Sequence, residues 1–202
     1  MAAEPSGYPV GMAGNLETYR RKRRFGRTGE PRGSRGDPGA RWVIQKHDAS
    51  SLHYDFRIEA EGVLKSWSVP KGPSLDPRDK RLAIPTEDHP VDYADFEGVI
   101  PEGEYGAGTV LVWDAGHYEH LTEQDVDVAE ALRRGRISIW LEGSKLRGGF
   151  ALTRMSGRDQ WLLVKKRDEG ADRRRKPLRR QPKSVLSSSD LDEIAERGKV
   201  LE

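Results

Sequence analysis

Apolar and polar side chains alternate strictly over Leu52-His53-Tyr54-Asp55-Phe56-Arg57-Ile58, and a period of two predicts a β-strand. Other β-rich runs cover Trp42-Val43-Ile44, Val63 to Val69, Arg81 to Thr86, Thr109 to Trp113, Arg136 to Leu141, Gly149 to Arg154 and Gln160 to Lys165, separated by Gly, Pro and Asp signals. About eight short strands predict a mainly β domain, a barrel or a sandwich. Two segments change period. From Glu123 to Arg134, Val126, Ala129 and Leu132 recur at helical spacing between Thr122 as a cap and Gly135 as a stop, and Asp190 to Arg197 predicts a second short helix.

Composition restricts how much of the chain this domain can include. Hydrophobic residues are 35% of the 202, below the roughly 45–50% usual for globular domains, so one core cannot engage every segment. Charge divides the chain in the same way. The totals nearly cancel, 35 Lys and Arg against 33 Asp and Glu, yet residues 1–41 hold nine basic and four acidic side chains and 165–183 hold ten and three, while 42–164 hold 14 and 21. The expected organisation is a basic, largely flexible N-terminal arm over 1–41, a β-domain over 42–165 and a basic C-terminal tail over 166–202 with a short helix. Both basic segments lack apolar periodicity. They read either as solubilising tails or as polyanion-binding arms, in which runs such as Arg20-Arg21-Lys22-Arg23-Arg24 neutralise phosphates. No apolar run approaches the roughly 20 residues of a membrane span and no signal peptide is apparent, so the expected location is the cytoplasm. The chain has no cysteine, which excludes disulfides, thiolate nucleophiles and Cys-ligated zinc.

Any metal must therefore be held by His and carboxylates. Alternation puts Leu52, Tyr54, Phe56 and Ile58 on one face of the central strand, the packing face, and His53, Asp55 and Arg57 on the other, about 6–7 Å apart along the row. Imidazole and carboxylate suit manganese or zinc, and a planar guanidinium suits bidentate phosphate. The alternative is a solvated outer face carrying an Asp–Arg ion pair. All five histidines lie between 42 and 164. A tight turn would bring His47, six residues earlier, to the same ion as His53 and Asp55, and His89, extended by the following proline, can point at the same place. This grouping favours a metallophosphoesterase-like site. A non-catalytic nucleic-acid-binding barrel is the rival, disfavoured by the net acidic centre of the chain, and a cupin-like small-molecule enzyme is a third reading. Pro101 to Gly108 lacks the Lys-Ser/Thr of a P-loop and reads as a turn.

Several ordered motifs extend the reading: Gln45-Lys46-His47-Asp48-Ala49-Ser50, Leu52 to Arg57, Leu64-Lys65-Ser66-Trp67, Val69 to Ser74, Glu87-Asp88-His89-Pro90, Asp92 to Gly98 and Gly103 to Gly108. Together, over about Leu16 to Lys165, they resemble the 3′-phosphoesterase module of bacterial DNA ligase D, here as a stand-alone relative. The resemblance implies a compact β-barrel and an enzyme dependent on manganese or another divalent transition metal. It implies a DNA substrate, a primer strand ending in a 3′-ribonucleotide or 3′-phosphate, healed to a 3′-hydroxyl for a repair polymerase and ligase. By motif, His47, His53 and Asp55 would hold the metal, and Arg57 and His89 would contact the scissile phosphate with Arg23. His89, when protonated, could also donate to the leaving oxygen. Arg81, Glu87, Tyr93 and Lys71 match positions lining the family site, and Arg20, Arg21, Lys22, Arg23 and Arg24 would contact DNA. The pattern departs at Arg24, where the family's Lys-Arg-Asp-Phe run has Asp.

Overall fold

The computed structural model describes residues 15–33, 39–121, 126–157 and 159–199. Nine antiparallel strands run β1 Arg41–Asp48, β2 Leu52–Ala60, β3 Val63–Val69, β4 Arg81–His89, β5 Gly98–Ile100, β6 Gly108–His120, β7 Arg136–Gly143, β8 Arg147–Arg154 and β9 Trp161–Lys165. Eight of them, in the order β1-β2-β3-β4-β9-β8-β7-β6, close into a barrel through a β1–β6 pairing, and β5 adds to the outer part of β6. The eight predicted runs are the eight barrel strands. Strand β5 was not predicted, because three residues are too few to display a period. Strands β1, β4 and β6 extend past their predicted ends, which places His47 and His89 inside strands.

Local chemistry accounts for the β2–β3 hairpin. Ala60 pairs with Val63, and the two residues between them, Glu61 and Gly62, both have positive φ, 55° and 73°, as a two-residue type I′ turn requires. Inside the barrel, Trp42, Ile44, Phe56, Trp113, Ile137 and Phe150 form the centre of one buried cluster. Trp42 and Trp113 are almost wholly enclosed, each worth several kcal/mol at about 25 cal/mol per Å².

Helix α1 Glu17–Arg21, a single 3₁₀ turn Val91–Asp95, α2 Val128–Arg133, α3 Pro177–Arg180 and α4 Leu191–Lys199 lie outside the barrel. Helix α2 is shorter than predicted and is capped by Asp127, whose carboxylate accepts from Glu130 N at 2.7 Å; the expected cap Thr122 lies outside the described residues. No helix among the described residues is long and apolar enough to cross a membrane.

Where they are described, parts of both basic segments pack against the barrel. Residues 15–33 form a roof on the outer wall of the barrel, where Tyr19 is completely buried beside Val43, Leu64, Tyr93 and Val112. Residues 166–199 wrap the barrel, burying Ile194 and packing Leu178 and Leu191 on the main cluster. Polar anchors hold both segments where apolar content is low. Tyr19 Oη donates to Pro31 O at 2.6 Å, Trp113 Nε1 donates to Gln181 O at 2.8 Å, and Lys145 Nζ donates to the carbonyls of Gln181 and Lys183.

Candidate active site

The polar face of β2 is not solvated. Asp55 and Arg57 are buried between the sheet and the roof, which rules out an exposed outer face. On the other face Tyr54, Phe56 and Ile58 are buried as expected, but Leu52, the first residue of the strand, is 46% exposed.

Register builds the first cluster. His47 on β1 stands directly opposite His53 on β2, so the three-residue turn between these strands brings the two rings to 4.7 Å centroid separation. His47 Nδ1 is 3.6 Å from Asp55 Oδ2 and His53 Nε2 is 3.7 Å from Asp55 Oδ1. These separations are too long for hydrogen bonds and suit groups that share an ion. The opposite nitrogen of each ring is occupied: His47 Nε2 donates to Gly106 O at 2.9 Å and His53 Nδ1 to Ser51 O at 2.9 Å. Each imidazole thus turns an unprotonated nitrogen toward the carboxylate, and one ligand atom from each of the three residues lies within 4.8 Å of the others. Two pinned imidazoles and one carboxylate fit a transition-metal ion and leave open positions on it. Burial pushes the Asp55 carboxyl up, but facing positive charge, Arg57 first, holds the group below its usual range.

Arg57 joins this cluster to a second one. Its Nη2 donates to Asp55 Oδ2 at 3.2 Å, its Nε to Gln45 Oε1 at 2.8 Å, and its Nη1 lies 3.0 Å from His89 Nδ1. From the roof, Arg23 donates through Nε to Glu30 Oε1 at 2.7 Å and through Nη1 to Glu87 Oε1 at 2.9 Å, and its Nη2 stands 3.1 Å from His89 Nε2. His89 therefore lies between two guanidiniums. The Glu87 carbonyl, 2.8 Å from Nδ1, assigns the ring proton to that nitrogen, leaving Nε2 to accept from Arg23. Burial first, then Arg57 and Arg23, push His89 well below its ordinary value. A ring shifted this way favours the neutral form, in place of the protonated donor to a leaving group that the sequence reading allowed.

Aromatic and acidic neighbours complete the pocket. Tyr93 Oη donates to Glu30 Oε1 at 3.1 Å, and its ring lies 5.0 Å from the Arg57 guanidinium; burial and Glu30 keep its hydroxyl protonated. Glu87 Oε2 accepts from Lys22 Nζ at 3.1 Å, and Lys22 also reaches Tyr105 Oη at 3.0 Å. Burial pushes Glu87 up, but bonds from Arg23 and Lys22 bring it below its usual range.

The expected residues divide into three groups. His47, His53 and Asp55 meet as one cluster, and Arg57, His89, Glu87, Tyr93 and Arg23 meet as the adjoining one, with Lys22 at its edge. Lys71 and Arg81 lie on the rim where β3 ends and β4 begins. Lys71 is exposed on the turn after β3, and Arg81 donates to Asp79 at 2.8 Å; no bond joins either to the cluster among the described residues. Of the basic run, Arg20 donates to Gly33 O at 2.7 Å, and Arg21 and Arg24 are exposed. Sequence reading did not single out Gln45, whose Nε2 donates to Tyr93 O at 2.9 Å while its Oε1 receives Arg57. It stands two residues before His47, and alternation would have placed it on the site face. Ser66, opposite Arg57 on β3 with its Oγ 3.4 Å from His89 Nδ1, was missed in the same way.

Comparison with known proteins agrees with this geometry. The family model of the DNA ligase D 3′-phosphoesterase domain matches residues 45–154, which include both clusters except the roof residues. The multifunctional non-homologous end joining protein LigD of Pseudomonas aeruginosa is 50% identical over 185 residues, 87% of this chain and 22% of that protein. The LigD of Mycobacterium tuberculosis is 46% identical over 155 residues, 75% of this chain and 20% of its own length. The chain thus spans about a fifth of the length of these relatives. With the match covering more than half of its residues and the catalytic-type clusters inside it, the chain belongs to the DNA ligase D 3′-phosphoesterase domain family.

Proposed function

We propose that this protein is a metal-dependent DNA 3′-end-healing phosphoesterase of the cytoplasm. It removes a 3′-terminal ribonucleotide, a 3′-phosphate, or both, and leaves a 3′-hydroxyl for a repair polymerase and ligase. The observation that carries the reading is the junction at Arg57, whose guanidinium touches the carboxylate of the His47, His53, Asp55 cluster and the ring between the two arginines. A divalent ion bound by the cluster, manganese in this reading, supplies Lewis-acid polarisation of a phosphate oxygen.

The chain's own residues then have distinct tasks. Arg57 and Arg23 present fixed N–H donors to the remaining phosphate oxygens, where charge develops in the transition state. His89, neutral and bonded on both nitrogens, spaces the two guanidiniums, and Tyr93 with Glu30 keeps Arg23 in place. The proton needed by the departing 3′-oxygen comes from solvent, because His89 and Tyr93 are both committed. Arg24, exposed where the family has Asp, can donate but not accept hydrogen bonds from a terminal ribose, which favours 3′-phosphate over 3′-ribonucleotide ends.

The test is a labelled primer-template ending in either group, incubated with and without manganese. Conversion to a 3′-hydroxyl only with the metal is expected, lost in His47→Ala, His53→Ala and Asp55→Ala while these proteins remain folded. Ends unchanged under both conditions, or cleavage undiminished in the three variants, would overturn the reading.

A further inference from the structure

The two basic segments differ in how much of their charge is used internally. In the N-terminal run, Lys22 is paired with Glu87 at 3.1 Å, Arg23 with Glu30 at 2.7 Å and Arg27 with Glu104 at 3.2 Å. Those cations hold the roof down. In the C-terminal segment it is the acids that are used internally. Asp168 receives Lys165 and the backbone N–H of Gly149 at 2.8 Å, and Asp172 receives the N–H of Arg174 at 2.8 Å and of Arg175 at 3.2 Å. Meanwhile Lys166 and Arg167, the run from Arg173 to Lys176, and Arg179 with Arg180 are all exposed. Among the described residues none of these eight has a carboxylate within ion-pair distance.

The backbone carrying them is fixed to the barrel. Asp172 N donates to Leu75 O at 2.9 Å, and a methyl group added to Gly72 would lie 2.7 Å from Leu178 Cδ1 and 2.8 Å from Tyr54 Cδ2, so Leu178 is seated on the turn after β3. Topology puts this on the catalytic side. Strand β9 runs antiparallel to β4 with Leu163 opposite Arg81, so the segment leaves β9 at the rim where β4 begins, β3 ends and β2 starts with Leu52 and His53.

We propose that this ordered strip, rather than the Arg20 to Arg24 run, is the principal binding surface for the phosphate backbone of duplex DNA whose 3′ end occupies the metal cluster. The proposal rests on the function proposed above and names its second contact area. Of the Arg20 to Arg24 run, Lys22 and Arg23 are already paired with Glu87 and Glu30, which leaves three exposed cations there against eight in the strip, and unpaired exposed cations release the counterions of the nucleic acid on contact. A fixed strip also avoids the ordering cost that a disordered basic tail would bear on binding.

The experiment uses the full chain and two variants that leave the backbone anchors intact, Arg173→Gln/Arg174→Gln/Arg175→Gln and Lys176→Gln/Arg179→Gln/Arg180→Gln. Binding to an uncleavable primer-template duplex is measured across a salt series, beside turnover of a 3′-phosphorylated dinucleotide too short to reach the strip. Each triple variant should reduce the slope of log K against log salt by about 2 to 3, at roughly 0.9 per lost phosphate contact. Dinucleotide turnover should persist. An unchanged slope in both variants overturns the proposal while leaving the enzymatic reading intact. Absence of dinucleotide turnover in the parent protein counts against the enzymatic reading, and the salt slopes still decide the strip. Displacement of the duplex by poly-glutamate at equal charge concentration would assign the strip to an acidic protein partner and overturn the choice of DNA.

Discussion

Replacing Arg57 by lysine keeps the charge and tests whether the fork matters. The guanidinium donates to Gln45 Oε1 at 2.8 Å and to Asp55 Oδ2 at 3.2 Å and lies 3.0 Å from the His89 ring, and a single ammonium cannot span both acceptors. If it follows the Asp55 charge, Gln45 Oε1 loses its donor. That amide cannot turn away, since its Nε2 is held by the carbonyls of Tyr93 and Phe96. One lost charge-assisted bond amounts to about 1.5–3 kcal/mol, a sizeable share of the roughly 5–15 kcal/mol that holds a domain together. Urea unfolding followed by the fluorescence of the five tryptophans gives the difference from the midpoint shift at constant m. A loss below about 1 kcal/mol with turnover near the parent level would show that charge alone is needed at this position.

Two further predictions concern neighbouring groups. Burial, then Arg57 and Arg23, hold His89 well below its ordinary pKa, so below pH 6.5 the unfolded chain binds a proton that the folded chain refuses. Its stabilising effect is fully present above the unfolded pKa of about 6.5 and is lost as pH falls, by up to about 1.4 kcal/mol per pH unit. In metal-free protein His89→Gln should remove one proton's worth of that slope between pH 6 and 5, and an identical slope in parent and variant would refute the neutral ring. Gly106, whose carbonyl pins His47, has φ +78°, and Gly103 in the same turn has φ +82°. Alanine at either site should cost about 1–2 kcal/mol of stability, but only Gly106→Ala should also weaken manganese binding by about tenfold, the low end for an outer-shell partner. Equal metal affinity in the two variants, measured calorimetrically, would remove Gly106 from the ligand-orienting set.

How much was legible depended on which atoms carry each interaction. Alternation over Leu52 to Ile58 displayed the His53, Asp55, Arg57 row, and the spacing from His47 to His53 was enough to place both rings on one hairpin. The eight barrel strands were visible because their β-branched and aromatic runs are separated by Gly, Pro and Asp turn signals. The roof was hidden for the opposite reason. Tyr19 is its one completely buried aromatic, and the rest is held by Arg23, Glu30 and carbonyl acceptors, so a test based on apolar content reads it as disordered. The C-terminal wrap escaped for a related reason, because Trp113 and Lys145 hold it through backbone carbonyls of Gln181 and Lys183, and a carbonyl has no letter in the sequence. Lys71 and Arg81 were legible only from motif position, since among the described residues no bond ties either to the clusters and their place as lining residues rests on the family resemblance.

The uncharged ring between Arg23 and Arg57 determines whose proton a binding curve would report. Held well below its ordinary value, the His89 spacer does not gain charge near neutrality, so it adds no pH-dependent charge between the two guanidiniums. A phosphate monoester does change, acquiring its second negative charge near pH 6, whereas a phosphodiester keeps a single charge throughout. Attraction to this pocket therefore strengthens with rising pH for a 3′-phosphate end and stays level for an internal or ribonucleotide-linked phosphate. Under the function proposed above, the acidity of the ligand would then help one pocket distinguish two kinds of strand end.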